Sequence, residues 1–142
     1  MSKVSNILAR KGSNIISVSP EITVYEALKV MSERNIGSVV VLENGKYAGL
    51  LTERDYARKV IMLGRSSNET TVKDIMTTDL PSISLGHTVD DCMQLMSSRN
   101  VRYLPVIENN ELVGLLSIMD LVTETITNQK ETIDHLQNYI NQ

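Results

Sequence analysis

The sequence predicts an α+β fold made of two tandem copies of one small unit, and three observations support this. Residues 17–61 align without a gap to residues 82–126, and 16 of the 45 aligned pairs are identical, where ordinary composition would give roughly three. Each copy also contains an apolar stripe with helical spacing, and two apolar runs joined by a turn sequence. We interpret the repeat as a duplication that fills nearly the whole chain of 142 residues.

Each copy opens with a short strand and a helix, which Thr23 or Thr88 can N-cap. The apolar residues of the two helices recur at i, i+3, i+4 and i+7, so we expect this stripe to face the core. Cys92 lies in the second stripe where the first has Ala27. We interpret Cys92 as a small buried hydrophobic residue rather than a reactive thiol, because nothing near it in sequence would lower its pKa.

A β-hairpin and a second helix complete each copy. The turn is Asn44-Gly45 in the first copy and Asn109-Asn110 in the second, and these residue types accept the positive φ of a two-residue turn. Pro105 has no N–H to donate, so its strand is predicted to lie at an edge or to carry a bulge. Each unit is thus strand–helix–strand–strand–helix, and we expect the two units to pack sheet to sheet with pseudo-two-fold symmetry.

The predicted domains follow the repeat. Residues 1–66 form the first domain with an N-terminal helix, residues 67–127 the second, and residues 128–142 a C-terminal helical extension. Residues 64–71 have the composition of a linker. Towards the C-terminus an amphipathic stripe recurs, which would either pack back on its own unit or form a dimer seam. The stripe consists of Ile126, Ile133, Leu136 and Ile140.

Composition argues against several classes of protein. The net charge is −3 with a pI near 5.4, and the only aromatic residues are five Tyr. Nucleic-acid binding is therefore not expected, since it needs a basic surface or exposed stacking aromatics. No apolar run reaches the roughly 18 residues that would predict a membrane span, and the first residues lack the apolar region of a secretory signal. The single cysteine cannot form an intramolecular disulfide, so we expect a reducing, cytoplasmic location.

Sequence signatures of catalysis and metal binding are absent. The chain has no glycine-rich phosphate loop and no nucleophile-elbow motif. Its two histidines, His87 and His135, are too far apart in sequence for a zinc-ligand pattern, and we interpret both as surface residues. Because the repeats occupy nearly the whole chain, no room is left for a separate catalytic domain. We predict a protein that is not an enzyme and holds no metal.

A short motif recurs where the last strand of each copy meets its second helix. It reads Gly-Leu-Leu-Thr-Glu-Arg-Asp over residues 49–55 and Gly-Leu-Leu-Ser-Ile-Met-Asp over residues 114–120. One interpretation is a capping box with the hydroxyl residue at N-cap and the aspartate at N3. That box normally uses Glu or Gln, and the shorter Asp favours a carboxylate that points at something else. A helix N-terminus also binds phosphate, so capping and ligand binding both stay open.

The duplicated unit resembles a cystathionine β-synthase (CBS) domain pair, or Bateman module, over essentially the whole chain. The motif resembles the adenosyl-binding signature of that family, as does Ile75-Met76-Thr77 followed by Thr88-Val89. The chain most resembles standalone bacterial CBS-pair proteins with a stretch like residues 52–59 and a Tyr-Ile ending, here Tyr139-Ile140. The resemblance implies a regulatory module that senses an adenosyl ligand and modulates a partner protein. A ligand-independent oligomerisation or interaction scaffold is the alternative.

The resemblance also implies a cleft between the paired sheets that takes AMP, ADP, ATP, NAD or S-adenosylmethionine, and a homodimer of pairs. Carried over to this sequence, Asp55 and Asp120 would accept hydrogen bonds from the ribose hydroxyls, and Thr52 and Ser117 would bind phosphate at the helix starts. Further residues would line the cleft beside the nucleotide, and among them the backbone near Val18 and Ile83 would face the adenine. These are Val18, Ile36, Gly37, Ser38, Ile83, Val101, Arg102, Tyr103 and Pro105.

The two halves differ in charge near the motif. Residues 52–65 carry four cations, Arg54, Arg58, Lys59 and Arg65, against Glu53 and Asp55, a net charge of +2. We predict that Arg54, Arg58 and Lys59 contribute to ligand binding and that Arg54, directly before the motif aspartate, binds phosphate. The matching stretch of the second half has one cation, Lys130, and Arg102 replaces Gly37 on the cleft wall. The first site is therefore predicted to prefer ligands with more phosphate.

Overall fold

The computed structural model describes residues 2–141, and these divide into two compact units. The repeat-1 unit consists of residues 15–80, and the repeat-2 unit combines residues 2–14 with residues 81–141. The helices and strands, in chain order, are α1 (Val4–Lys11), β1 (Ser17–Val18), α2 (Val24–Arg34), β2 (Ser38–Glu43), β3 (Lys46–Thr52), α3 (Glu53–Tyr56), α4 (Val72–Ile75), α5 (Val89–Arg99), β4 (Tyr103–Glu108), β5 (Glu111–Ser117) and α6 (Ile118–Ile140). The predicted α+β class is confirmed.

Both predicted hairpins form. β2 and β3 pair antiparallel, as do β4 and β5, and the positive φ angles at the turns are 53° and 78° for Asn44 and Gly45, and 50° and 64° for Asn109 and Asn110. A register shift interrupts the same point of both ladders, one residue after the position that Pro105 holds in the second. Since the first repeat carries the shift without a proline, the bulge belongs to the repeat itself.

Pro105 does change how the second sheet is built. In the repeat-1 unit the N–H of Val40 donates to the carbonyl of Ile16 at 3.1 Å, and β1 joins the sheet in the order β1-β2-β3. Pro105 stands at the position of Val40 and has no N–H to donate. The matching segment of the repeat-2 unit makes only an isolated parallel bridge, Ile83 to Val106, so β4 and β5 form a two-stranded sheet.

The segments that precede the two repeats are exchanged between the units. Before the first repeat, the N–H of Val4 in α1 donates to the carbonyl of His87 at 2.8 Å, within the repeat-2 unit. Before the second repeat, the N–H of Val72 in α4 donates to the carbonyl of Ile22 at 2.9 Å, within the repeat-1 unit. The domain limits predicted from the repeat, 1–66, 67–127 and 128–142, stay a prediction. In space, α1 belongs with the second repeat.

Each unit has its own aliphatic core. The core of the repeat-1 unit is built from α2, the sheet and α4, and that of the repeat-2 unit from α1, α5, the hairpin and the start of α6. Cys92 is fully buried, as predicted, and burial followed by the charge of Asp91 raises the pKa of its thiol to about 11. Within the described residues, no helix is both long and apolar enough to cross a membrane.

The C-terminal half of α6 is exposed, and an ion pair with its own unit joins Glu131 to Arg10 of α1 at 3.6 Å. Every residue from 131 to 140 is exposed. Within the predicted stripe, Ile133, Leu136 and Ile140 are 53%, 57% and 77% exposed. The stripe is therefore not buried against its own unit, and the seam with another molecule stays a prediction.

Candidate functional site

The first motif forms a closed hydrogen-bond network at the start of α3. Thr52 is the N-cap, and its Oγ1 accepts the N–H of Asp55 at 3.0 Å. In return, Asp55 Oδ2 accepts both the N–H and the hydroxyl of Thr52, each at 3.0 Å. After one α-helical turn the backbone continues as a π-helical turn over Ala57–Ile61. One carboxylate oxygen of Asp55 is therefore fully used in holding the helix start.

The second oxygen of Asp55 is bound as well. Asp55 Oδ1 accepts the hydroxyl of Thr77 at 2.8 Å and lies 3.0 Å from Lys59 Nζ, one turn further along. Lys59 also donates to the carbonyl of Ile75 at 2.9 Å. With only 5% of the residue exposed, both oxygens of Asp55 already have partners inside the repeat-1 unit. A ligand hydroxyl could reach this carboxylate only by displacing one of them.

Asp is long enough to complete a capping box, so the prediction based on its shorter side chain is wrong. Complete boxes form with Asp at N3 on three helices: Thr52 with Asp55, Thr88 with Asp91, and Ser117 with Asp120. The carboxylate reaches the N-cap N–H at 2.8–3.0 Å in each case. The extended backbone of the N-cap residue, with φ from −119° to −88°, turns its N–H back over the first turn and so shortens the gap. The Thr88 box lies outside the motif. A capping box with Asp therefore stabilises a helix start and does not by itself indicate a ligand site.

The second motif forms a more open arrangement at the start of α6. Ser117 is the N-cap, and its N–H donates to Asp120 Oδ2 at 2.8 Å. The same oxygen lies 2.7 Å from Nζ of Lys11, at the end of α1. All the hydrogen bonds and ion pairs of this carboxylate within residues 2–141 are made by Oδ2, and its side chain is 21% exposed. Asp120 Oδ1 is thus an acceptor open to a ligand.

The charges around the two aspartates are arranged differently. Glu124 stands at the repeat position of Lys59, so α6 has two carboxylates spaced i, i+4 where the first repeat has an ion pair. Glu124 is only 3% exposed, accepts the hydroxyl of Ser2 at 2.9 Å and lies 3.4 Å from Arg10. The cations that neutralise the second helix start therefore come from α1.

The backbone before each hairpin supports the adjacent helix start. The carbonyl of Gly37 accepts the N–H of Glu53 at 3.1 Å, and that of Arg102 accepts the N–H of Ile118 at 2.9 Å. These are the same contact in the two repeats. In the repeat-1 unit, Ile36, Gly37 and Glu53 line an open cavity of about 370 Å³ that ends at the C-terminus of α2. The structure therefore brings these predicted site residues together with the first residue of α3.

Several predicted site residues are parts of the cores. Val18, Ser38, Ile83 and Pro105 are buried, whereas Val101 and Tyr103 are half-buried. Val18 and Ile83 are core residues of their units, so only their backbone could face an adenine. That is the role the resemblance implied for them.

The cations counted near the two predicted sites lie in different environments. Arg58 and Arg102 are exposed, Arg54 is half-buried, and Lys59 is held by Asp55. Arg65 pairs with Asp74 at 3.7 Å. The net charge of this stretch is unchanged by these pairings, but Lys59 is already paired with a carboxylate and is therefore less available to a phosphate than the sequence implies.

The described residues contain no cluster of side chains that could bind a metal ion. Within residues 2–141, no three His, Cys, Asp or Glu side chains come together in a way that could hold an ion. Both histidines are exposed, as predicted, and Nδ1 of His87 accepts the backbone N–H of Ser84 at 2.9 Å.

Two contacts of the motif aspartates were not predicted from the sequence. Thr77 and Lys11 reach the motif aspartates from segments outside the aligned repeats. One signal was available, namely the change from Lys59 to Glu124, which leaves Asp120 and Glu124 unneutralised on one helix face and so requires a cation from elsewhere.

Comparison with known proteins identifies the family. The family model for the CBS domain matches this chain twice, over residues 4–61 and 72–126. The chain belongs to the CBS domain family. Two standalone CBS-domain proteins are similar to this chain along most of their length. The first, CBSX3 of Arabidopsis thaliana, is described as mitochondrial and is 36% identical over 96% of this chain and 71% of its own. YhcV of Bacillus subtilis is 33% identical over 89% of each.

Solved structures of CBS proteins share the fold. A putative signal-transduction protein with CBS domains from Burkholderia ambifaria matches with a TM-score of 0.86 and 40% identity, over 90% of this chain and 96% of its own. The CBS domain pair of protein MJ0100, solved in complex with 5′-methylthioadenosine and S-adenosyl-L-methionine, matches with a TM-score of 0.76 and 24% identity, over 91% of this chain and 98% of its own. At 24% identity, the similarity to the MJ0100 pair shows a shared fold and nothing more.

Proposed function

We propose that this CBS pair is a regulatory module that binds an adenine nucleotide or related adenosyl compound and modulates a partner protein. The ligands in question are AMP, ADP, ATP, NAD and S-adenosylmethionine. A CBS pair with the same fold, that of protein MJ0100, was solved in complex with 5′-methylthioadenosine and S-adenosyl-L-methionine, and this supports the proposal. The binding role is assigned to the two motif regions, and no catalytic role is assigned to any residue.

The observation that carries the proposal is the state of Asp120. Its carboxylate is anchored through one oxygen by Ser117 and Lys11, while the other oxygen remains available. A ribose presents two neighbouring hydroxyls, and a carboxylate oxygen fixed in place is a strong acceptor for such donors. The N-terminus of α6, a helix of 23 residues, lies beside it and favours a negatively charged group.

The remaining proposed contacts follow the sequence predictions. Thr52 and Ser117 bind phosphate, Asp55 and Asp120 bind ribose, and Arg54, Arg58 and Lys59 add positive charge in the first repeat. Backbone and side chains beside each helix start complete the ligand surface. These are Val18, Ile36, Gly37 and Ser38 in the first repeat, and Ile83, Val101, Arg102, Tyr103 and Pro105 in the second.

A thermal-melting panel tests the proposal. The full chain is heated with each of the five adenosyl ligands, and with GMP as a matched control that carries ribose and phosphate but a different base. A ligand present at 100 times its Kd, and bound only by the native state, adds about 2.7 kcal/mol to stability. We expect a concentration-dependent rise in Tm with at least one adenosyl ligand. No shift with any of them contradicts the proposal.

A second candidate is a ligand-independent interaction scaffold, and one observation favours it. Asp55 is explained without a ligand, because Thr52, Thr77 and Lys59 already satisfy both of its oxygens. The exposed apolar stripe on α6 adds a surface for another chain. On this alternative the module would bind its partner equally well in the presence and absence of every ligand in the panel.

Assembly and location are part of the same proposal. We assign the exposed stripe of α6 to a homodimer and expect the regulated protein to be a separate chain. Cys92, the single cysteine, is buried with its pKa raised, as suits a protein kept reduced in the cytoplasm.

A further inference from the structure

The cation beside the second motif aspartate comes from more than one hundred residues away in sequence. Lys11 donates to Asp120 Oδ2 at 2.7 Å and to the carbonyl of Leu115 at 2.9 Å. In the first repeat, Lys59 binds Asp55 and the carbonyl of Ile75 in the same way, but from the same helix. The two lysines perform one task, holding a carboxylate against a backbone carbonyl, from unrelated places in the sequence.

We propose that Lys11 is a positioning residue of the second nucleotide site, and that this site binds adenine nucleotides more tightly than the first. The inference rests on the proposed function. Lys11 and the N–H of Ser117 converge on Oδ2 of Asp120, which fixes the orientation of the carboxylate. Oδ1 then stays in place as the acceptor for a ribose hydroxyl. A carboxylate held ready in this way binds without a cost for ordering it first.

The first repeat lacks this free acceptor. Asp55 has four donors on its two oxygens and its side chain is 7% exposed, whereas the side chain of Asp120 is 21% exposed. A ribose at Asp55 must displace either the hydroxyl of Thr77 or the ammonium of Lys59. Each hydrogen bond that the ribose makes to Asp55 then replaces one that Asp55 already makes within the protein. The affinity of the first site is therefore expected to be lower than that of the second.

An open cavity borders the Lys11–Asp120 pair. Its volume is about 220 Å³, and Ile7, Thr123 and Thr127 complete the lining together with Arg10 and Glu124. This is below the roughly 300–1,000 Å³ typical of small-molecule pockets, so it would receive one part of a nucleotide rather than the whole. Lys11 lies at the boundary of the cavity, where it orients Asp120.

The test is calorimetry with adenosine and AMP on the full chain, comparing Lys11→Gln, Lys11→Arg and Lys59→Gln with the unmodified protein. Lys11→Gln is expected to weaken the tighter site about three- to tenfold for both ligands, in line with the loss of a charge-assisted hydrogen bond to the binding group. Lys11→Arg should restore most of the affinity. Lys59→Gln, the matched change in the first repeat, should leave the tighter site unchanged.

The outcomes separate the two proposals. Unchanged affinity in Lys11→Gln, a loss confined to AMP, or a loss in Lys59→Gln instead each overturns the role of Lys11 while the proposed function stands. A lower Tm in Lys11→Gln with unchanged affinity likewise overturns it, since Lys11 would then only stabilise the fold. Absence of binding by the unmodified protein overturns the proposed function and this inference with it.

Discussion

The hydroxyl of Thr77 donates a 2.8 Å hydrogen bond to Oδ1 of Asp55, a contact between residues 22 positions apart. Thr77 also exchanges both backbone hydrogen bonds with Leu50, each at 2.9 Å. The segment that leads into the second repeat is thereby fixed to the helix start of the first. Asp55 therefore does two things at once, capping α3 and holding the chain that leaves the unit.

This relationship predicts that the two motif aspartates differ in their importance for stability. Asp55→Ala removes a buried acceptor with four donors and should cost about 2–4 kcal/mol, whereas Asp120→Ala removes a partly exposed cap and should cost about 1 kcal/mol. Urea unfolding at neutral pH measures both values. Equal losses would mean that the Thr77 and Lys59 contacts add nothing beyond the cap.

The glycines of the two motifs allow a second matched comparison. A Cβ added at Gly49 would lie 2.7 Å from the carbonyl oxygen of Thr77, which is backbone held in a hydrogen-bonded bridge. At Gly114 it would meet the side chain of the core residue Leu8 at 2.8 Å, and a side chain shifts more readily than a hydrogen-bonded backbone carbonyl. Gly49→Ala should destabilise by about 1–3 kcal/mol, and Gly114→Ala by less. Denaturant midpoints of the two variants decide the order, and the reverse order would show that Leu8 has no room to move.

A third prediction concerns pH and the box on α5. The N–H of Thr88, and then its hydroxyl, hold the pKa of the Asp91 carboxyl below its ordinary value of 3.8. A carboxyl with a lowered folded-state pKa contributes stability above its unfolded pKa and loses it as the pH falls through the lowered value. Asp91→Asn should therefore reduce stability at neutral pH, and the difference should shrink steadily below a pH of about 4.

The control for that experiment is Asp90→Asn, which removes the same charge from the neighbouring position of the first turn without touching the box. Urea midpoints are compared from neutral pH to about pH 3. If Asp90→Asn shows an equal pH dependence, the effect comes from the helix dipole alone and not from the hydrogen bonds of Thr88.

Much of the architecture follows from short-range chemistry and was predictable. The N-caps Thr23, Thr88, Thr52 and Ser117 lie where their residue types and the following apolar stripe predict. Both turns follow from the tolerance of Asn and Gly for positive φ. These features depend only on neighbours within about four residues, so the sequence carries them directly.

The exchanged segments could not be predicted in the same way. Val4 and Val72 have equivalent contacts in opposite units, and the apolar pattern is equally satisfied whichever unit a segment packs on. The pairing of Lys11 with Asp120 depends on that choice and was hidden with it. A repeat shows which residues are equivalent, but long-range packing decides which of them meet.

The last prediction concerns the exposed half of α6. Ile126, Ile133 and Ile140 are spaced by seven, Leu136 lies between the last two, and each is more than half exposed. This is the spacing of a coiled-coil seam, and burial of such side chains against a second copy would remove apolar surface from water. We expect sedimentation velocity to give a species of twice 15.8 kDa at micromolar concentration. Ile133→Glu combined with Leu136→Glu should convert it to monomer, because two like charges would then face each other across the seam.

The matched control places the same two charges elsewhere on the exposed half of α6. His135 and Asn138 are also exposed and lie off the seam by the seven-residue spacing, so His135→Glu combined with Asn138→Glu should leave the dimer intact. A monomer in the unmodified protein, or a dimer that survives the double substitution, contradicts the assignment of this stripe to self-association. Since two heptads alone form only a marginal interface, the dimer is expected to dissociate on dilution, and its mass should be measured across at least a tenfold range of concentration.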